Sequence, residues 1–300
     1  MEAATMKMYH HPHVPASEIA QRLGLRRAGR SWRGQCPACS YPAGAVLDER
    51  GGVALLWCSS CQDRAALFAA LRAASGGLLP PRAAPPDPAP EAERLAERIE
   101  KARRIWDGAE RITPDSPAAR YLARRKIEHI ANSPALRWRK DTPHPSGGRR
   151  LALIAAVSAP SGEFAGIQRV FLKPDGTKAD IEPVKASLGV IAGGAVRLQS
   201  ASCELVVGEG VETSAAAGAI LGMPAWSAVS CGNLANSLML PAEIRTIIIA
   251  ADHDLAGLRA AEAAWRRWRA EGRSVRIVKP NQEDSDFNDL QREAAREIGQ

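Results

Sequence analysis

The hydrophobic positions of this chain change rhythm along its length, and the change at Cys203 is the sharpest. From there, solid apolar blocks alternate with longer stretches that read as helices. CELVVGEG is a predicted strand, VETSAAAGAILG a helix and PAWSAVS a strand. TIIIAADHD, LAGLRAAEAAWRRWRAEG and SVRIVKP repeat the order of strand, helix and strand. Such alternation predicts an α/β unit over residues 201–300, a parallel sheet flanked by helices. In the last helix Ala261, Trp265 and Trp268 share one face, which predicts packing on the sheet.

Upstream the rhythm differs. LALIAAVSAPSGEFAGIQRVFL holds two apolar runs around APSGE, the pattern of a hairpin. EAERLAERIEKARRIWDGAERI places Leu95, Ile99, Ile105 and Trp106 at roughly helical spacing and leaves a basic outer face. SPAARYLARRKI is a shorter helix, with Ser116 as cap and Pro117 at its first position. Residues 94–200 therefore form a basic, mixed α+β subdomain. GGLLPPRAAPPDPAPEAE holds too many prolines for a helix or central strand, so residues 76–93 are expected to be an extended linker. A small module, residues 1–75, precedes it.

Composition adds limits. The chain has 300 residues, 45% hydrophobic and 24% charged, with no apolar stretch long enough to span a bilayer. MEAATMKMYHHPHVP lacks the apolar core of a signal peptide, so a cytoplasmic protein without a membrane partner is expected. His10, His11 and His13 read as a solvated terminal arm. The net charge of +7 favours a polyanionic partner.

Two close cysteine pairs, Cys36/Cys39 and Cys58/Cys61, lie 18 residues apart. Two C-x-x-C knuckles at that separation match a four-thiolate zinc site, a zinc ribbon, in which the metal is structural. Trp32, Arg33, Trp57 and Arg64 surround the knuckles. Aromatic residues beside arginines can stack on unpaired bases and hold phosphates; tryptophans can equally support a small core. Cys203 and Cys231, each bordering an apolar run, read as small buried side chains.

The acidic residues carry the sharper signal. Asp252 and Asp254 follow the block IIIAA, Glu209 follows ELVVG, and Asp284, Asp286 and Asp289 follow VRIVKP. Ligands of an open parallel sheet bind beyond the carboxyl ends of its strands, where all three clusters fall. Two carboxylates 4 Å apart repel by about 4 kcal/mol at an effective dielectric near 20. A divalent cation offsets that repulsion, and oxygen-only ligands suit Mg²⁺ or Mn²⁺. Asp254, just before a helix, also suits a capping role.

VVGEGVETS, IIAADHDLAG and DSDFNDL together resemble the Toprim domain shared by bacterial-type primases, topoisomerases, some nucleases and recombination mediators. The resemblance covers about residues 204–290. It implies Glu209 for acid/base work and Asp252 and Asp254, with Asp286, as magnesium ligands. Primases often carry a second aspartate two places beyond the last of these; here that position is Asn288. The order of zinc ribbon, basic segment and Toprim resembles bacterial and phage primases. That resemblance implies that Arg169, Lys178 and Lys185 contact the template backbone or an incoming nucleoside triphosphate. The expected activity is primer synthesis on single-stranded DNA for a phage, plasmid or integrated element. A separate helicase or replication initiator is the expected partner, because the chain ends soon after the third acidic motif.

Two rivals share these motifs. A Toprim nuclease would use the same carboxylates with water as nucleophile. A DNA-binding loading factor would pair zinc with Toprim and catalyse nothing. A topoisomerase needs a nucleophilic tyrosine in a large strand-passage domain, and the position of Tyr9, Tyr41 and Tyr121, all in small segments upstream, argues against one.

Overall fold

The structure is a computed structural model that describes residues 14–50, 53–58, 63–77 and 88–298. It divides into two compact units, Met1–Pro86 and Asp87–Gln300. The histidine arm expected at residues 10–13 lies outside the described residues. Among the described residues, no helix is long and apolar enough to cross a membrane.

The first unit runs α1 (Ala16–Arg22), β1 (Arg26–Ala28), β2 (Ser31–Gly34), β3 (Ala45–Arg50), β4 (Val53–Cys58) and α2 (Arg64–Ala74). Its four strands form an antiparallel sheet in sequence order. Ile19, Ala20, Leu47, Leu67 and Leu71 make a small core with Cys36 and Cys58. A core this small is of the kind that a structural metal supplements.

The second unit opens with α3 (Pro88–Asp107), which begins inside the expected linker. Proline lacks only an N–H that the first helical turn does not use, so Pro88 and Pro90 are tolerated there. After α4 (Pro117–Arg124) come β5 (Leu136–Pro143), β6 (Arg149–Ser158), β7 (Phe164–Phe171) and β8 (Lys185–Gly189). Ser116 caps α4 as expected, its Oγ accepting from the Ala119 N–H at 3.1 Å. The expected hairpin is the β6–β7 centre of a four-stranded antiparallel sheet. Alternation along its strands sends Ile154, Ile167 and Phe171 against Ala102 and Ile105 of α3. Leu153, Ala155, Val157 and Val170 point the other way, into a core shared with the C-terminal sheet.

That sheet is built from β9 (Val196–Arg197), β10 (Glu204–Gly208), β11 (Ala225–Ser227), β12 (Thr246–Ala250) and β13 (Ser274–Val278). Its order is β13-β12-β10-β11-β9, parallel except for β9. The helices are α5 (Val211–Leu221), α6 (Cys231–Asn236), α7 (Leu255–Ala270) and α8 (Phe287–Ile298). Val211, Ala215 and Ala216 of α5 and Phe287 of α8 fill the core between the two sheets. Trp268 is fully buried on the opposite face, and the Trp265 indole donates to the Val275 carbonyl at 3.1 Å. Both tryptophans therefore pack on the sheet, as expected.

Asn288, in the first turn of α8, is completely buried. Its amide nitrogen donates to the Arg125 carbonyl, and its Oδ1 accepts from Arg125 Nη1 at 3.2 Å. An aspartate here would lose the first bond and set a charge against a carbonyl. The asparagine is thus a structural bridge from α8 to the end of α4. Asn288→Ala is expected to cost about 1–3 kcal/mol, the penalty for stranding buried partners. Thermal unfolding of the full chain checks it, and an unchanged melting temperature would contradict the bridge.

A candidate active site at the strand ends

Glu209 stands one residue beyond β10, and Asp252 two beyond β12. These are neighbouring parallel strands whose last paired residues are Gly208 and Ala250. The register therefore delivers both acids to one edge. The first turn of α5 supports them: Thr213 Oγ1 donates to Asp252 Oδ1 at 3.0 Å. Asp254 caps α7, its Oδ1 accepting from the Gly257 N–H at 2.6 Å. The capping role considered for Asp254 is thus real and engages one of its two oxygens. Gly257 matters by its bareness, since a Cβ there would lie 2.6 Å from the Asp252 carbonyl oxygen. Asp286, just before α8, accepts from the Asp289 N–H at 2.9 Å.

The acids act on one another. Burial pushes the Asp252 carboxyl up to about 7, and the charges of Glu209, Asp286 and Asp254 add to the shift while Thr213 opposes it. Burial also raises Glu209, with Asp254 adding to it; the Cys231 thiol and Lys185 pull the other way. Asp286 is raised by burial and by Asp289, against the N–H groups of Asp289 and Asn288. Among the described residues, no three Asp or Glu side chains each place an oxygen within 4.8 Å of the other two. The edge is thus an open, oxygen-rich cluster and not a closed cage. That suits Mg²⁺ or Mn²⁺, which bind through one or two carboxylates and keep several waters.

Cys231 was expected to be a bland buried side chain, and buried it is. Its thiol also donates to Glu209 Oε2 at 2.6 Å, and burial with that carboxylate holds the thiol in its protonated form. Cys203, by contrast, is exposed, which corrects the expectation for it.

The three predicted cations fall in different places. Arg169 is 5% exposed, and its guanidinium donates to the carbonyls of Pro143, Ala186 and Ser187. It binds β5 and β8 to β7, on the face opposite the acidic edge. Lys185, on β8, meets Glu212 of α5 at 2.9 Å and 3.0 Å. Lys178 lies in the loop before β8, within electrostatic reach of Lys185, Glu212, Arg125 and Asp286.

Glu212 was not singled out from the sequence. It is buried, and besides pairing with Lys185 it accepts a hydrogen bond from the Tyr121 hydroxyl of α4. Burial opposes its ionisation, yet Lys185, Lys178 and Tyr121 together hold the carboxyl far below the usual range. A signal was available: VETSAAAGAIL is apolar or small around the whole helix, so its lone charge had to find a partner inside.

In the first unit, the sulfurs of Cys36, Cys39 and Cys58 all lie within 4.8 Å of one another. Cys39 and Cys58 Sγ are 3.9 Å apart, close to the edge of a tetrahedral thiolate site, about 3.8 Å for metal–sulfur bonds of 2.3 Å. Burial opposes ionisation of Cys36, but the N–H groups of Cys39 and Ala38 and the neighbouring thiols outweigh it and lower its pKa. The donor set fits a thiophilic metal. Cys61, the expected fourth ligand, lies outside the described residues. Trp32 and Arg33 point to opposite faces of β2, as adjacent strand residues must. Trp32 packs on the core under Arg27, whose guanidinium is 4.4 Å from its ring. Arg33 instead shares a cross-strand row with Arg26, Val46 and the 40%-exposed Trp57. The sheet thus carries the Arg27–Trp32 pair on its core side and Arg33 and Trp57, with Val46 between them, on the other.

The raised Asp252 has a stability consequence. Its folded value, about 7, lies above the ordinary aspartate value of 3.8, so the folded state binds the extra proton between them. The protein loses stability as pH rises through that window. Asp252→Asn is expected to stabilise the chain at pH 8 by on the order of 2 kcal/mol, after discount for partial exposure, and hardly at pH 4. Mn²⁺ should raise the melting temperature of the parent at pH 8 and leave the variant nearly unmoved. Equal pH profiles for the two proteins would contradict the crowding.

No curated protein matches the chain. Similar solved structures include a DnaG catalytic core, 16% identical, covering 68% of this chain and 78% of that chain, with a TM-score of 0.46. The primase fragment of the bacteriophage T7 primase-helicase protein is 17% identical, covering 90% and 98%, with a TM-score of 0.45. The zinc-binding and RNA polymerase domains of the Aquifex aeolicus primase are 13% identical, covering 94% and 82%, with a TM-score of 0.44. Residues 96–198 match a domain of unknown function, DUF7146. Residues 204–297 match the Toprim domain over the strands and helices that carry the acidic edge, and this part of the chain is a Toprim domain.

Proposed function

We propose that this chain is a DNA primase that makes short oligonucleotides on single-stranded DNA by metal-dependent nucleotidyl transfer. The observation that carries the reading is the parallel register of Gly208 with Ala250, which brings Glu209 and Asp252 to one edge of a Toprim domain, where the charges of Glu209, Asp286 and Asp254 bear on the buried Asp252. A basic segment supports it. Residues 94–200 hold 20 Lys and Arg against 11 Asp and Glu, whereas residues 201–300 hold 10 against 14. A cationic segment next to an acidic edge in sequence suits a nucleic-acid backbone held beside a metal site.

In this reading Glu209, Asp252, Asp254 and Asp286 hold Mg²⁺ or Mn²⁺. Bound there, such a cation would activate an attacking oxygen and stabilise a leaving one. Glu209, with Oε2 fixed by Cys231, uses Oε1 to take the proton of the primer 3′-hydroxyl. The bond from O3′ to the α-phosphorus forms, the bond to the bridging oxygen breaks, and pyrophosphate leaves. Positioning and charge neutralisation supply most of the rate. Cys36, Cys39, Cys58 and Cys61 hold zinc, and the face with Arg33 and Trp57 meets the template. A separate helicase or replication initiator brings the protein to DNA, in a phage, plasmid or integrated element.

The test is direct. Single-stranded DNA of mixed sequence, four labelled ribonucleotides and Mg²⁺ or Mn²⁺ are expected to yield short labelled products. Glu209→Gln and Asp252→Asn should each lower the yield by about a hundredfold or more, with DNA binding kept. Shortened template would instead indicate the nuclease, and binding without either product the loading factor. DNA affinity should fall by about 0.7 log units per tenfold rise in salt for each phosphate contacted.

The purified chain should also carry about one zinc, and a chelator that removes it should destabilise the protein and weaken template binding. Protein that folds and binds DNA equally well without zinc would contradict the assignment.

A further inference from the structure

We propose that Gln168 is a positioning residue for Glu209, acting from the antiparallel sheet through a strained turn, residues 228–230, whose two flanks hold the glutamate at both ends. The role of Glu209 rests on the primase reading; the path to it is structural. Ser227, fully buried at the end of β11, donates from Oγ to the Glu209 carbonyl at 2.7 Å. Beyond the turn, the Cys231 thiol donates to Glu209 Oε2 at 2.6 Å. One contact fixes the main chain and the other the carboxylate. The shape of the turn between them therefore sets where the free oxygen, Oε1, points.

Val229, at the centre of the turn, has a φ of +73°. Left-handed backbone is an outlier for a β-branched side chain, because Cβ crowds the following carbonyl oxygen. Such a conformation persists only where its surroundings over-determine it. The valine side chain is packed in the core between the two sheets. The Ala228 N–H donates to the Gly208 carbonyl at 2.8 Å, and the Ala228 carbonyl accepts from Asn233 Nδ2 at 2.8 Å. The Val229 N–H donates to Ser227 Oγ at 3.1 Å, and Ser230 Oγ accepts from the Asn233 N–H at 3.3 Å. All of these partners belong to the Toprim domain. The Val229 carbonyl is different: it accepts from Nε2 of Gln168, on β7, at 3.3 Å. Gln168 is 5% exposed, and its Oε1 is buried with no partner among the described residues. An amide buried with one end unsatisfied costs stability, so stability does not account for this glutamine. Its one side-chain bond goes to the turn that holds Glu209.

The experiment compares the full chain with Gln168→Met, which keeps the length of the side chain and has no N–H. The substitution exchanges one unpartnered buried oxygen, Gln168 Oε1, for another, the Val229 carbonyl, so the melting temperature should move little. Turnover in primer synthesis should fall about tenfold with an unchanged KM for nucleotide. Cys231→Ala should lose a similar factor, and Cys231→Ser should keep most of the turnover because its hydroxyl also donates. The double variant Gln168→Met/Cys231→Ala should fall no further than either single one, since both act on one carboxylate. A second readout needs neither metal nor substrate. In the infrared difference spectrum against Cys231→Ser, the S–H stretch should lie below that of a free thiol, and Gln168→Met should move it towards the free value. Full turnover in Gln168→Met, an additive double variant or an unmoved S–H band would overturn the assignment. Should Gln168→Met fail to fold, Gln168→Asn, whose shorter amide falls short of the Val229 carbonyl, is read in the same way. The two assays also separate the two ideas. Primers made by a parent whose S–H band is indifferent to Gln168 defeat only this inference; a band that moves in a chain that makes no primers defeats only the primase reading.

Discussion

Like charges crowded at the ends of two adjacent parallel strands are the constraint around which the second unit is arranged. Parallel pairing of Gly208 with Ala250 forces Glu209 and Asp252 to one edge, and burial keeps water from screening them. Each surrounding contact answers that crowding. Thr213 and Cys231 each give a proton donor to one oxygen, Asp254 spends one oxygen on a helix cap, and Asp286 takes an N–H from the turn of α8. These bonds fix the carboxylates without neutralising them. The charge that remains is what a divalent cation would meet.

The same edge depends on how the antiparallel sheet joins the Toprim domain. The join has an apolar part, where Val170 and Leu153 meet Val211 and Phe287, and a polar part made of two buried links. Asn288 fastens α8, and with it the turn of Asp286, to α4. Glu212 fastens α5, which carries Thr213, to Tyr121 and Lys185. Both links touch elements that hold the acids. Unlike the apolar contacts, the Glu212 link joins named atoms of three elements, the Tyr121 hydroxyl of α4, the Lys185 ammonium of β8 and the carboxylate of α5.

Much of this could be read from residue order. IIIAA and ELVV are apolar on both faces, and only a parallel sheet covered on both sides accommodates such runs. The acids after them were legible because polar residues beyond strand ends have few structural reasons to gather. The cysteine knuckles were legible from spacing. Other features were not. The two-residue β9 and six-residue α6 are too short for periodicity to register. The start of α3 was hidden because proline signals a break everywhere except a first helical turn. Arg169, Lys178 and Lys185 look alike in sequence, and only the tertiary fold decides that one is buried on carbonyls, one paired and one open. The partnership of Tyr121 with Glu212 spans 91 positions, beyond any local pattern.

The central claim is that these carboxylates form one cation site. Anomalous scattering from crystals of the full chain grown with Mn²⁺ tests it most directly. The account predicts a manganese peak about 2–2.5 Å from oxygens of at least two among Glu209, Asp252, Asp254 and Asp286. Manganese bound elsewhere, with this edge empty at millimolar Mn²⁺, would contradict it.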